Sequence, residues 1–258
     1  MKCILVTTDL AARSDRALER ALLLARETGA GRVLEVGCGT GYWLAQVAEA
    51  GAGAYGLDLS AGMLSQAQER GAPLYLVRGR AGSLPFVDGA FEMVYCVNAL
   101  HHFAEQEAFV REAWRLLAPG GRLAILGSSP HDPREQWYIH DYFEGTRETD
   151  LARFPSWGNV VDWMVASGFD GIGWRTVQMI DNVCVGRAVF DAPFLKKHAV
   201  SQLAMLSDAA YAAGLARMEE AIAAAEREGR KLNFCSRIRL AMMTSTKPGT
   251  MAQQQTYR

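Results

Sequence analysis
Between residues 32 and 127, short apolar runs alternate with stretches whose apolar positions recur at helical spacing. The run 33–36 predicts a strand, 42–50 a helix, and 54–57 a second strand that ends in Asp58. Ser60 reads as the N-cap of a helix that carries Met63, Leu64 and Ala67 and stops at Gly71. Strands follow at 74–77 and 93–97. A helix with Phe109, Ala113, Leu116 and Leu117 on its apolar stripe runs to Pro119-Gly120-Gly121, and 123–126 is the next strand. Strand–helix alternation with short connections predicts a doubly wound α/β fold: a parallel sheet covered on both faces, with a ligand at the carboxyl ends of the strands. Ahead of it, residues 1–31 predict an extension, a small strand at 3–6 and a helix that Ser14 caps and Gly29 stops.

Beyond Leu126 the alternation lapses. Residues 128–156 are rich in aromatic, proline and charged residues, with Trp137, Tyr138, Tyr142, Phe143 and Phe154 close together. A helix at 157–167 and a strand at 172–179 return the chain to the core pattern over 157–185. Residues 194–228 predict two helices, the second with Leu215, Met218 and Ile222 on one face, and a last strand at 232–242 falls within 230–247. The expected organisation is a core at 32–127, 157–185 and 230–247. The segments 128–156 and 186–229 are read as insertions at one edge of the sheet that form a helical cap over the site. Residues 248–258 are expected to be a disordered polar tail.

Half of the 258 residues are hydrophobic and 21% are charged, the balance of a soluble globular chain. A net charge of −1 leaves no electrostatic footprint for nucleic acid or an anionic membrane. No apolar run reaches the ~18 residues of a membrane span, and the N-terminal apolar block is too short for a signal peptide, so a cytoplasmic location is expected. The five cysteines, at 3, 38, 96, 184 and 235, include no C-x-x-C pair and predict free thiols, with neither a disulfide framework nor a metal centre.

The richest chemistry lies in Glu35-Val36-Gly37-Cys38-Gly39-Thr40-Gly41, a strand that enters a helix through a loop with glycine at every second position. Such a loop brings bare backbone close to a ligand. The spacing is G-x-G-x-G, and Tyr42 stands where G-x-G-x-x-G would place its last glycine, which argues against a dinucleotide pyrophosphate. Glu35 is an awkward neighbour for a diphosphate and suits a ligand with an ammonium group. Asp58, at the end of the second strand, offers acceptor sites alone and suits the two hydroxyls of a ribose.

In chain order, Glu35 to Gly41, Gly56-Leu57-Asp58-Leu59-Ser60, Leu84-Pro85-Phe86, Phe91-Glu92-Met93-Val94, Leu100-His101-His102-Phe103 and Leu117-Ala118-Pro119-Gly120-Gly121 look like successive motifs of the class I S-adenosylmethionine-dependent methyltransferases. More narrowly, they resemble the small-molecule methyltransferases of the type 11 group. The likeness is continuous over 32–127 and extends loosely to Gly168-Phe169. It implies a Rossmann-like sheet of seven mostly parallel strands with the last antiparallel, S-adenosyl-L-methionine as cofactor, S-adenosyl-L-homocysteine as product, and a small-molecule methyl acceptor. It also implies that Gly37, Cys38, Gly39 and Gly41 line the methionine part, with Glu35 near its amino end. Asp58 would bind the ribose, Leu59 and Met63 would pack near the adenine, and Asn98 would touch the cofactor and open toward the acceptor. The segment with Arg80 and Ala81 would meet the adenine. There the family commonly has Gly-Asp-Ala, its Asp accepting from the adenine amino group, whereas this chain has Gly79-Arg80-Ala81, and arginine cannot accept a hydrogen bond.

Methyl transfer from a sulfonium is an in-line displacement in which alignment and desolvation supply much of the rate. A general base is needed when the acceptor holds its proton at neutral pH. His101 and His102, just beyond the strand 93–97, are candidates, as are His140 and Tyr138 in the cap, with His131, Asp141 and Tyr142 behind them. Two other functions compete: a nicotinamide-dependent oxidoreductase on a similar sheet, and a non-catalytic cofactor-binding or stress-sensor module. The last is prompted by Ile4-Leu5-Val6-Thr7-Thr8-Asp9, Ala17-Leu18 and Ala21-Leu22-Leu23-Leu24-Ala25, which look like the opening strand and helix of universal stress proteins.

Overall fold
The computed structural model describes residues 31–249, so the extension at 1–30, its likeness to universal stress proteins and the tail from 250 lie outside the described residues. β1 (Arg32–Val36) leads through the glycine loop into α1 (Tyr42–Glu49), followed by β2 (Gly53–Asp58), α2 (Ala61–Gln68), β3 (Leu74–Arg78) and β4 (Phe91–Val97). A short 3-10 turn (Leu100–His102), α3 (Gln106–Leu116) and β5 (Leu117–Gly127) come next. Then follow β6 (Gln136–Trp137), α4 (Ile139–Tyr142), α5 (Thr146–Arg153), α6 (Trp157–Ser167) and β7 (Asp170–Val185). Two further 3-10 turns (Gly186–Asp191 and Pro193–Leu195), α7 (Ser201–Ala204), α8 (Asp208–Arg227) and β8 (Asn233–Thr246) complete the chain.

The strands form an eight-stranded sheet in the order β3-β2-β1-β4-β5-β8-β6, with β7 also paired to β8. β1 to β5 pair in parallel, and β8 runs antiparallel to β5 and β6. Strand order reverses at β1, so the carboxyl ends of β1 and β4 lie at the switch point where open α/β sheets bind ligands. Val33, Leu34 and Val36 of β1 are wholly buried, as a strand covered on both faces requires.

Several expected boundaries hold. Ser60 Oγ accepts from the Met63 N–H at 3.3 Å and caps α2, and α6 spans the expected 157–167 between a Ser156 capping box and Gly168 at φ 92°. Others move. β5 starts at Leu117 instead of 123, because Leu117 pairs with Phe91 and Arg122 with Met93, and the ladder bulges between them. The bulge accommodates Pro119, which has no N–H to offer a regular ladder. Gly120 N–H and Gly121 O bond to the Lys247 backbone at 2.9 and 2.8 Å. β7 and β8 run longer than expected, and the irregular-looking 128–156 contains β6, α4 and α5. The two helices expected within 194–228 are present as α7 and α8, with two 3-10 turns ahead of them.

Among the described residues there are two compact units. The first comprises 31–128, 155–178 and 240–249, with a core that includes Leu34, Val36, Leu57, Val94, Phe109, Leu116, Ile125, Met164 and Met243. In it α3 packs beside α6. The second comprises Ser129–Phe154 and Met179–Arg239, with its own core around Tyr138, Ile139, Phe143, Leu203, Met218, Ile222 and Phe234. No described helix is long and apolar enough to cross a membrane.

Candidate functional site
The glycine loop is pinned at both ends and open in the middle. Gly37 and Cys38 donate their N–H groups to Leu57 O at 2.7 and 3.1 Å, which ties the loop to the end of β2. Gly37, Gly39 and Gly41 all have positive φ (75°, 53° and 68°), a region that favours glycine. A Cβ on Gly37 would lie 2.6 Å from the Ala99 Cβ, and one on Gly41 would lie 2.9 Å from the Ala67 Cβ. A Cβ on Gly39 would meet nothing within 4 Å, so backbone is presented there to open space. Thr40 is held from outside by Arg70, whose Nε donates to Thr40 O and whose Nη2 donates to Thr40 Oγ1 at 3.2 Å.

Glu35 is 1% exposed and pairs in register with Tyr95 of β4. The Tyr95 hydroxyl donates to Glu35 Oε2 at 3.0 Å, and the Leu44 N–H, in the first turn of α1, donates to the same carboxyl group. Burial raises the Glu35 pKa to about 8, with the Asp58 charge adding to the rise and the two donors opposing it. The carboxyl is therefore mostly neutral at pH 7 and fastens the strand end to the helix start from inside the sheet. Cys38 and Cys96 are buried beside it. Burial, reinforced by the Glu35 charge, pushes both thiols up, so neither is an activated nucleophile.

Asp58 stands at the carboxyl end of β2, opposite the open glycine. Its Oδ2 accepts from the Gly39 N–H at 2.9 Å and its Oδ1 from the Ser60 N–H at 2.8 Å. Each carboxylate oxygen has about two acceptor sites, so one on each remains for a ligand diol. Leu59 beside it is 60% exposed, an apolar surface open to solvent, and Met63 is half-buried one turn on. The next strand follows closely: Gly79 N–H donates to Asp58 O at 3.1 Å, which sets Arg80 and Ala81 next to the β2 end. This arrangement suits a ribose at Asp58 and a planar apolar group over Leu59.

Past β4, Asn98 has φ 48°, the only positive φ outside glycine among the described residues, and its N–H bonds Leu126 O at 2.9 Å. The turn that follows carries His101 and His102, whose ring centroids are 4.0 Å apart. The glycine loop, Asp58, Leu59, Met63, Arg80, Ala81, Asn98, His101 and His102 thus all belong to the first unit.

The other two catalytic candidates belong to the second unit. Tyr138 is 3% exposed, packs edge-on to Phe234, and its hydroxyl has no hydrogen-bond partner. Burial raises its pKa. His140 lies edge-on to Trp137, with Nδ1 3.4 Å from Thr146 Oγ1 and Nε2 3.6 Å from Asp150 Oδ2. Burial lowers its pKa against the opposing pull of Asp150. Asp150 also accepts from both Gln202 Nε2 (2.9 Å to Oδ2) and Arg153 Nη2 (2.9 Å). His131 Nε2 is 2.8 Å from Phe154 O, Asp141 is exposed, and Tyr142 lies against Phe234. Sequence reasoning missed Tyr95, Arg70 and the Asp150–Gln202 pair. A signal for Tyr95 was present, since an acidic residue inside an apolar strand calls for a buried donor.

A family model described as "Methyltransferase domain" matches residues 34–125. A demethylmenaquinone methyltransferase of Beutenbergia cavernae is 32% identical over 179 residues, which cover 63% of this chain and 74% of that protein. Among solved structures, the YcgJ protein of Bacillus subtilis superposes with a TM-score of 0.58 at 20% identity, covering 92% of this chain and all (100%) of that one. Phosphoethanolamine N-methyltransferase 2 of Haemonchus contortus, solved with S-adenosyl-L-methionine, does so with a TM-score of 0.56 at 18% identity over 89% of this chain and 52% of that one. These two likenesses show the shared fold.

Proposed function
Because the chain belongs to the S-adenosylmethionine-dependent methyltransferases, we propose that the glycine loop and the β2 end are the grip on its methyl donor. S-adenosyl-L-methionine supplies an activated methyl group on a sulfonium, which passes to a small-molecule acceptor by in-line displacement. The chain's residues hold and orient. Gly39 offers open backbone along the methionine part, and Asp58 accepts from the ribose hydroxyls. Leu59 and Met63 cover one face of the base, and Asn98 borders the acceptor side. His101 and His102 are the proposed proton acceptors for a substrate that arrives protonated. The relatives named for demethylmenaquinone make that compound the first acceptor to try.

The observation that carries this reading is Asp58, fixed by two backbone N–H groups beside a glycine with empty space above it. Calorimetric titration should give tight binding of S-adenosyl-L-methionine and S-adenosyl-L-homocysteine and none of NADH. Asp58→Ala should weaken both by at least about tenfold, the order expected for hydrogen bonds to a charged group. An unchanged dissociation constant in that variant would remove Asp58 from the grip.

A further inference from the structure
The backbone acceptors on the rim beyond Asp58 are partly engaged. Three backbone carbonyls there already have donors: Asp58 O takes the Gly79 N–H, Leu59 O takes Arg78 Nε at 3.1 Å, and Arg80 O takes the Ser83 N–H at 3.2 Å. The donors are unevenly committed. Arg70 is engaged with Thr40 and Arg78 with Leu59, whereas Arg80 is exposed and, among the described residues, makes no side-chain hydrogen bond or ion pair. Its backbone is held in place by the bridge to Ser83 and by Gly79, where a Cβ would lie 2.9 Å from Leu57 Cδ1. A fixed backbone thus carries an uncommitted donor-only side chain next to the β2 end, which is followed by Leu59.

We propose that Arg80 makes this donor site read the base by donation, so that it holds a 6-oxopurine nucleoside to within about fivefold of adenosine. The inference rests on the grip proposed above. An adenine edge presents a donating amino group between its acceptors. A 6-oxopurine presents O6 and N7 side by side, both acceptors, and the planar guanidinium fork donates to the two together. A bidentate pair of this kind discriminates roughly ten- to a hundredfold between bases. A carboxylate borders this loop: the Glu105 side chain lies against Gly82. A carboxylate can accept from an adenine amino group, so the test includes it.

The measurement is the dissociation constant of the full chain for S-adenosyl-L-homocysteine and S-inosyl-L-homocysteine by calorimetry. The wild-type chain should hold the inosyl compound no more than about fivefold more weakly than the adenosyl one. Arg80→Asp, at an exposed position that leaves the melting temperature in place, should shift the ratio at least about tenfold toward adenosyl, and Arg80→Ala should shift it in the same direction. A larger wild-type preference for adenosyl, or a ratio that neither substitution moves, overturns the proposal. So does a ratio that responds to Glu105→Gln and not to Arg80→Asp, which would assign the base edge to Glu105. Binding of neither ligand overturns the grip itself.

Discussion
Glu35 shows what a single residue contributes once its neighbours are known. The strand pattern marks it as an acid among apolar residues beside a glycine loop, which suits a cationic ligand. The fold also makes it a structural fastener, since Tyr95, 60 residues away, donates to it across the β1/β4 register and the start of α1 is tied to it. Glycine spacing and the acid after β2 were legible because both lie along the chain. The Tyr95 partnership was not, because it exists only after β1 and β4 align. The shift has a consequence for stability. The group titrates near 4.5 in the unfolded chain and near 8 in the fold, so between those values the folded protein holds a proton that the unfolded chain has lost. Folding stability therefore falls as pH rises through that window, by a few kcal/mol. Glu35→Gln cannot titrate. Its urea midpoint should vary less between pH 5 and pH 8 than the wild-type midpoint does. Parallel pH dependences in the two proteins would refute a buried, proton-retaining Glu35.

At the level of elements, local preference and packing disagree most plainly in α8. Gly214 sits in the middle of this 20-residue helix, where glycine costs about 1 kcal/mol relative to alanine. By propensity alone Gly214→Ala should stabilise. The ring of Phe143 fills the space that a Cβ would take, closer than any real contact allows, and Phe143 is wholly buried between Tyr211 and the core of the second unit. Overpacking of this kind costs about 1–3 kcal/mol, more than the propensity gain. Gly214→Ala should therefore lower the melting temperature, and the double variant Gly214→Ala/Phe143→Leu should recover part of the loss. A single variant that melts higher than wild type would show that the ring yields. The same tension explains which elements could be read in advance. α2 and α6 carry their own caps, Ser60 and Ser156, and fell where the pattern put them. β5 did not, since its early start depends on the Phe91 partner of Leu117 and on the distant Lys247.

For the whole molecule, the parallel core was legible because each strand–helix step is closed locally by a cap, a stop or a glycine. The contacts that hold the second unit together were not. The unit is assembled from two segments that are 24 residues apart in sequence, Ser129–Phe154 and Met179–Arg239, and its polar centre joins Asp150 to Gln202 across 52 residues. No window of the chain contains that pairing. The division makes a further prediction for the donor grip. A ligand that binds the folded chain alone stabilises it by about 2.7 kcal/mol at a concentration one hundred times its dissociation constant. If the grip is as proposed, amide exchange with saturating S-adenosyl-L-homocysteine should slow first and most in 37–41, 58–63, 79–83 and 98–103, all of them in the first unit. The Gly39 and Ser60 amides should lead, because each is already bonded to Asp58 and their opening would break the ligand's hold as well. Protection that leaves these four segments unchanged while the ligand is bound would place the donor elsewhere in the chain.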